Sequence, residues 1–284
     1  MDFKKIASSI FGYTPSNRYD FDILTNINTI ENVNNNEQKI YTNLNSNLDF
    51  IKTVYNTLIN SDIVIRNFTL NARNKQYDAF ILYVDGLVDT NIMNDFVLKP
   101  LMLRTTSNLY DKDQNKVTED TVLNNAVVKR IKKFNIVDYL KKCLMPQNSV
   151  NTIDTFSKVY EGVNSGNCVL FIDTINQAFD IEVKGFKQRS INSPTNEVVI
   201  KGSQEAFVES LRTNTSILRR IINNENLIIE NMEVGKITKT RCGLCYMQNV
   251  TNADLVAEVK YRINNLAIDS LVSSRRTWTT YFRW

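Results

Sequence analysis

The sequence predicts a mixed α/β protein built as two subdomains, each a small sheet with packed helices. Three observations predict this. Short apolar runs of strand length alternate with longer segments whose apolar residues recur at helical spacing. Gly, Asp-Gly and Pro positions punctuate these segments. The hydrophobic fraction is 43% of 284 residues, enough for buried cores. No run approaches the ~18 apolar residues needed to span a bilayer.

Taken in order, residues 1–45 include Asn34-Asn35-Asn36 and few apolar pairs, and read as a weakly ordered extension. Asn47 caps a predicted helix with Leu48, Ile51, Val54, Tyr55 and Leu58 on one face. Residues 63–65 are a short strand. Residues 79–84 are a second strand, apolar without alternation, which predicts burial on both faces. Asp85-Gly86 ends it. Thr90 caps the next helix, with Ile92, Met93, Phe96, Val97 and Leu101 facing inward. Residues 106–120 are polar and read as a loop. A helical pattern covers 121–144, and Pro146 marks a break taken as the subdomain boundary. The second unit starts with a helix over 153–160 and strands over 168–172, 179–183 and 197–200. A polar helix then covers 204–222. Strands over 227–233 and 238–247 form a hairpin around Gly235-Lys236. A helix capped by Asn252 and a short strand over 267–271 complete the pattern. The division is thus 1–45, 46–146, 147–272 and a tail over 273–284.

Composition excludes several functions. Thirty-four basic and 30 acidic residues give a net charge of +4, and Arg275, Arg276 and Arg283 of the tail carry three of those charges. The body is nearly neutral, which argues against nucleic-acid binding. The chain has no His, so imidazole acid–base catalysis and imidazole metal ligation are closed to it. Asn is abundant, which favours turns and caps. Four Cys (143, 168, 242 and 245) are too few and too scattered for a disulfide scaffold. The expectation is a soluble chain in a reducing compartment.

The candidate chemistry is sparse. Cys242-Gly-Leu-Cys245 has the spacing of redox and zinc sites, but no second pair accompanies it and a strand pattern surrounds it. Two ordinary strand residues are the simpler reading. The glycines form no phosphate-binding loop. Glu205 and Glu209 suit the start of a helix better than a catalytic pair. Glu209 with Arg212, and Arg219-Arg220, are either surface ion pairs or contacts to a neighbouring element or subunit. Asp85 and Gly86 sit where α/β folds place ligand clefts, though a tight turn explains them more simply. No catalytic, cofactor-binding or metal-binding residue is predicted. The tail over 273–284 mixes basic and aromatic residues and reads as a frayed or altered terminus.

One stretch carries more. Pro194 leads a strand with Glu197 and Lys201-Gly202; then come Phe207-Val-Glu209-Ser-Leu-Arg212-Thr-Asn214 and Arg219-Arg220. This resembles the N-terminal soluble domain of the A subunit of spore nutrient germinant receptors, the GerA family. In that family a strand with an E-x-x-x-[RK]-G core runs into F-x-E-[ST]-L-x-T-N and then R-R. Asp62-Ile-Val-Ile-Arg66, the strand ending in Asp85-Gly86-Leu87, Lys99-Pro100-Leu-Met, Gly235-Lys-Ile-Thr and Glu258-Val-Lys-Tyr-Arg262 match further segments in order. Ser203, Ala206 and Ile221 depart from the usual pattern, as does everything after 272. The resemblance implies a non-enzymatic domain without cofactors, partnered by the receptor's B and C subunits and, as a homo-oligomer, by further A subunits. It implies a cytosol-facing position, anchored in the spore inner membrane by a following membrane domain. It implies a role in receptor assembly and in coupling nutrient signals to ion release. Pro194, Glu197, Gly202, Phe207, Glu209, Arg212, Asn214, Arg219 and Arg220 would be motif and subunit-contact residues. The alternative is a binding module for an amino acid or sugar, with its cleft between two α/β lobes near Asp85 and Gly86.

Overall fold

A computed structural model describes residues 38–72, 75–103, 135–185, 206–266 and 268–269. It divides into two compact units. One runs to Glu230 and includes Gly243–Tyr246; the other holds Asn231–Cys242 and the chain from Met247 onward.

The first unit is built on a five-stranded antiparallel sheet of order β1-β2-β4-β5-β3. Its strands are β1 (Ile63–Ala72), β2 (Lys75–Val84), β3 (Val150–Ile153), β4 (Cys168–Ile172) and β5 (Ala178–Ile181). Alternate side chains of a strand point to opposite faces, and along the central strands both faces are covered. Phe80, Leu82, Val169 and Phe171 pack with helices α1 (Leu44–Val54) and α5 (Phe156–Asn164). Ala79, Ile81, Leu170 and Ile172 pack on the other face with α2 (Thr90–Met93), α3 (Lys99–Leu103) and the end of α4 (Ile136–Tyr139). This two-sided cover is why β2 and β4 read as continuous apolar runs. Phe80 and Phe171 are register partners and stack at 4.7 Å. Helix α6 (Leu211–Ile221) follows, and β6 (Leu227–Val234) pairs with β7 (Thr240–Met247) in a two-stranded sheet. In the second unit, Asn252 caps α7 (Ala253–Asn264) by accepting from Asp254 N at 2.8 Å, as the sequence predicts.

The mixed α/β class stands, with its internal divisions redrawn. The boundary expected near Pro146 falls inside the sheet, because β2 before it pairs with β4 after it. Ladder hydrogen bonds between distant strands leave no composition signal. The extension ends earlier than 45: Lys39 bridges Thr155 and Ile40 is buried. Asn43, not Asn47, caps α1, accepting from Ser46 N; Asn47 is buried inside the helix and bonds both backbone groups of Tyr41. Asp89, not Thr90, caps α2. A π-helical turn, Asn94–Leu98, adds a residue to that helix and rotates its face, so Leu98 is buried and Phe96 is 48% exposed. Ile153, expected to open a helix, instead ends strand β3 and α5 starts at Phe156, while the short strand expected at 63–65 extends to Ala72, with Arg66 and Asn67 at exposed positions of one hairpin arm. The expected loop at 106–120 and the strand at 197–200 lie outside the described residues, as does most of the one at 267–271.

Asp180 on β5 is held above the usual carboxylate range by burial, against the lowering effect of the Asn167 amide that donates to both its oxygens at 2.9 and 3.0 Å. A Cβ on Gly162 of α5 would lie 2.7 Å from the Asp180 carboxylate, so glycine is what lets helix and sheet close on it. The folded-state value lies above the unfolded one. Its contribution is therefore complete at pH below about 3.9 and is lost as pH rises through the folded value. Asp180→Asn should stabilise the protein at neutral pH relative to the parent, with the gap closing toward pH 4 or below. Urea midpoints measured across that range check it.

Candidate functional site

Helix α6 starts where Ser210 Oγ accepts from Thr213 N at 3.4 Å. Asn214 fixes the approach to it. Its amide accepts from Val208 N and donates to Val208 O, both at 2.7 Å, pairing as a backbone strand would. Arg212, Ser216 and Arg219 fall at i, i+4 and i+7, on one stripe of the helix.

That stripe meets the open end of the β1–β2 hairpin. Ile63 and Val84 are register partners, so Asp62 and Asp85 sit side by side just past them, with Asp85 N donating to Asp62 O at 2.7 Å. Each acid takes one arginine. Arg212 Nη2 donates to Asp85 Oδ1 at 2.5 Å, with the two side chains 54% and 39% exposed. Arg219 Nε and Nη2 form a fork on the two Asp62 oxygens at 2.8 and 2.9 Å. Arg219 is 1% exposed and Asp62 is 7% exposed.

A buried guanidinium needs its donors satisfied. Arg219 Nη2 also reaches Asn60 Oδ1 at 3.0 Å, and Nη1 reaches Asn224 O at 3.4 Å. Asn60, 2% exposed, extends the network: its oxygen also accepts from Ile229 N, and its amide donates to Tyr55 O and Leu227 O. One buried node thus joins the end of α1, the entry to β1, the end of α6 and the start of β6. Burial keeps the nearby Tyr55 hydroxyl protonated and holds the Cys245 thiol above its ordinary range.

Gly86 follows Asp85 with φ +89°, a left-handed conformation. A Cβ there would lie 3.3 Å from Ser216 Cβ and 3.4 Å from Arg212 O. Asp85-Gly86 is therefore both a turn and the seat of the helix. Beside the seat lies a polar cleft of about 230 Å³, with Gly86, Asp89, Thr90, Ser210, Arg212 and Ser216 in its walls.

The motif residues divide accordingly. Arg219 is not a surface contact; it is buried and committed to Asp62. Asn214 is an internal clamp. Glu209 precedes the helix, which begins at Leu211 rather than near 204, so Glu209 and Arg212 are not a helical pair; Arg212 pairs with Asp85 instead. Phe207 is 62% exposed, Glu209 is exposed and Arg220 is half-buried. Pro194, Glu197 and Gly202 lie outside the described residues. Cys242 and Cys245 are three apart on β7, so they point to opposite faces, and burial holds both thiols above their ordinary range. Among the described residues no group of His, Cys, Asp or Glu could hold a metal ion. The sequence reading missed Asn60 and Asp62 as partners. Asp62 opening an apolar strand was the available signal.

The family model described as Bacillus/Clostridium GerA spore germination protein matches residues 49–279. Spore germination protein KA of Bacillus subtilis is 30% identical over 214 residues, covering 75% of this chain and 35% of that protein. Spore germination protein B1 of the same organism is 27% identical over 83% of this chain and 43% of its own length. The chain spans less than half the length of these relatives. The crystal structure of the N-terminal domain of the A subunit of the Bacillus megaterium spore germinant receptor GerK3 matches with a TM-score of 0.56 and 26% identity. That match covers 82% of this chain and 74% of that one.

The two arginines should behave oppositely on substitution. Arg219→Ala strands a buried carboxylate and should cost about 3–5 kcal/mol. Arg212→Ala, losing an exposed pair, should cost at most about 1 kcal/mol. Chemical denaturation of the two variants checks the order; equal losses would contradict it.

Proposed function

Because the chain belongs to the GerA family of spore germination proteins, we propose that it acts in germination as the N-terminal part of a germinant receptor A subunit. There it helps assemble the receptor and couples the nutrient signal to ion release. The observation that carries this reading is the fastening of α6 to the sheet by two acid–arginine pairs. Anchored through the buried Arg219–Asp62 pair, the second half of the helix passes a displacement into the β1–β2 hairpin. The proposed partners are the receptor's B and C subunits, with further A subunits as a second contact. The side available to them carries Phe207, Glu209 and Ile221, the last 69% exposed. No catalytic step is assigned. Among the described residues no helix is long and apolar enough to cross a membrane, and attachment to the spore inner membrane is proposed to run through a separate membrane domain.

Phe207→Ala combined with Glu209→Lys should reduce co-purification of the B and C subunits with the full-length receptor by tenfold or more, a loss of about 1.4 kcal/mol. Unchanged recovery with an unchanged melting temperature would remove this surface from the assembly. The cleft beside Arg212 favours a second reading, a site for a small zwitterion or polyol. At about 230 Å³ it is below the ~300–1,000 Å³ of usual ligand sites. Titration calorimetry with amino acids and sugars separates the two readings: a saturable signal lost in Arg212→Ala supports the cleft.

A further inference from the structure

We infer that the first half of α6, residues 211–216, is a hinged flap whose latch is the Arg212–Asp85 pair, while residues 217–221 are its fixed anchor. The anchors of this helix all fall in its second half. Ile217 is 7% exposed and Arg219 is 1% exposed, fastened into the node under β6. In the first half the buried residues are Thr215 and Ser216, and both hydroxyls bond their own helix. Thr215 donates to Arg212 O at 3.0 Å and Ser216 to Thr213 O at 2.7 Å. Lifting this half strands neither of them.

Its seat is made of glycines. Gly86 lies under Arg212 and Ser216, and Gly243 lies under Leu211 and Thr215. Contacts of this kind bury little apolar area, so they hold weakly. The Ser210 cap and the Asn214–Val208 clamp lie within 208–214 and travel with the flap. The two consecutive hydroxyls bonded back to helix carbonyls put the hinge at 215–216, since such bonding loosens helices. Among the described residues, what remains to hold the flap down is one exposed ion pair, Arg212 to Asp85. The cleft beside Arg212 lies between α6 and the Gly86–Asn91 segment, so opening of that pair would widen it. The flap needs only this helix and its seat, so it stands or falls apart from the receptor reading.

Amide hydrogen exchange read by mass spectrometry tests it. Arg212→Gln and Asp85→Asn should each speed exchange across 208–216 by about two- to fivefold, the worth of one exposed pair. Exchange across 217–222 and β1 should not change, and the double variant should add nothing. About 0.5 M salt, where the screening length is about 4 Å, should speed the same amides in the parent and leave the variants unmoved. Acceleration spread evenly over 208–222 would mean the helix moves as one body, and no acceleration would mean the pair is not the latch; either result overturns the inference.

Discussion

The fork between Arg219 and Asp62 sets the arrangement of everything around it. Both groups leave water, and that desolvation is offset only when the donors of the guanidinium find oxygens. Here the oxygens come from three places in the chain: Asp62 at the start of β1, Asn60 just before it, and Asn224 after α6. Asn60 then ties in Tyr55, Leu227 and Ile229. Any other seating of α6 would strand a buried charge. The pair acts through position more than through added stability, because an apolar pair of the same volume would hold as well but would not choose one register.

The second pair reads differently, although its chemistry is the same. Arg212 and Asp85 repeat the motif one heptad up the helix, at the neighbouring strand end, but half in water. Solvent screening makes it weak and reversible. The β1–β2 hairpin therefore presents two adjacent carboxylates to one helix, one committed and one releasable. A protein that passes a mechanical signal needs both a point that does not give and a point that does. The rigid background is the five-stranded sheet, whose central strands are covered on both faces, and against it either movement is registered.

Much of the fold was legible in the sequence. The uninterrupted apolar run at 79–84 announced a strand covered on both faces, the run at 168–172 announced a strand, and the Gly235-Lys236 hairpin and the Asn252 cap lie where turn and cap chemistry place them. The misses have local causes. Asn43 and Asn47 are both competent caps four residues apart, and packing against Tyr41 decided between them. The π-helical turn shifted the inward face of α2 by a residue, which a fixed period cannot anticipate. The division at Pro146 failed because strand pairing joins segments about ninety residues apart, as Phe80 with Phe171.

For the site, the sequence by itself determined the inventory: which acids, arginines and glycines are present, in an order that matches the GerA family, and that no imidazole is available. Only the tertiary structure decided their roles. Arg212 and Arg219 are the same residue type on the same helical stripe, and nothing local distinguishes them. One is exposed and releasable and the other is buried and structural because the hairpin end brings Asp85 to the surface and folds Asp62 beneath it. Burial is a property of the whole packed chain, and the worth of a charge pair depends on burial more than on the residues that form it.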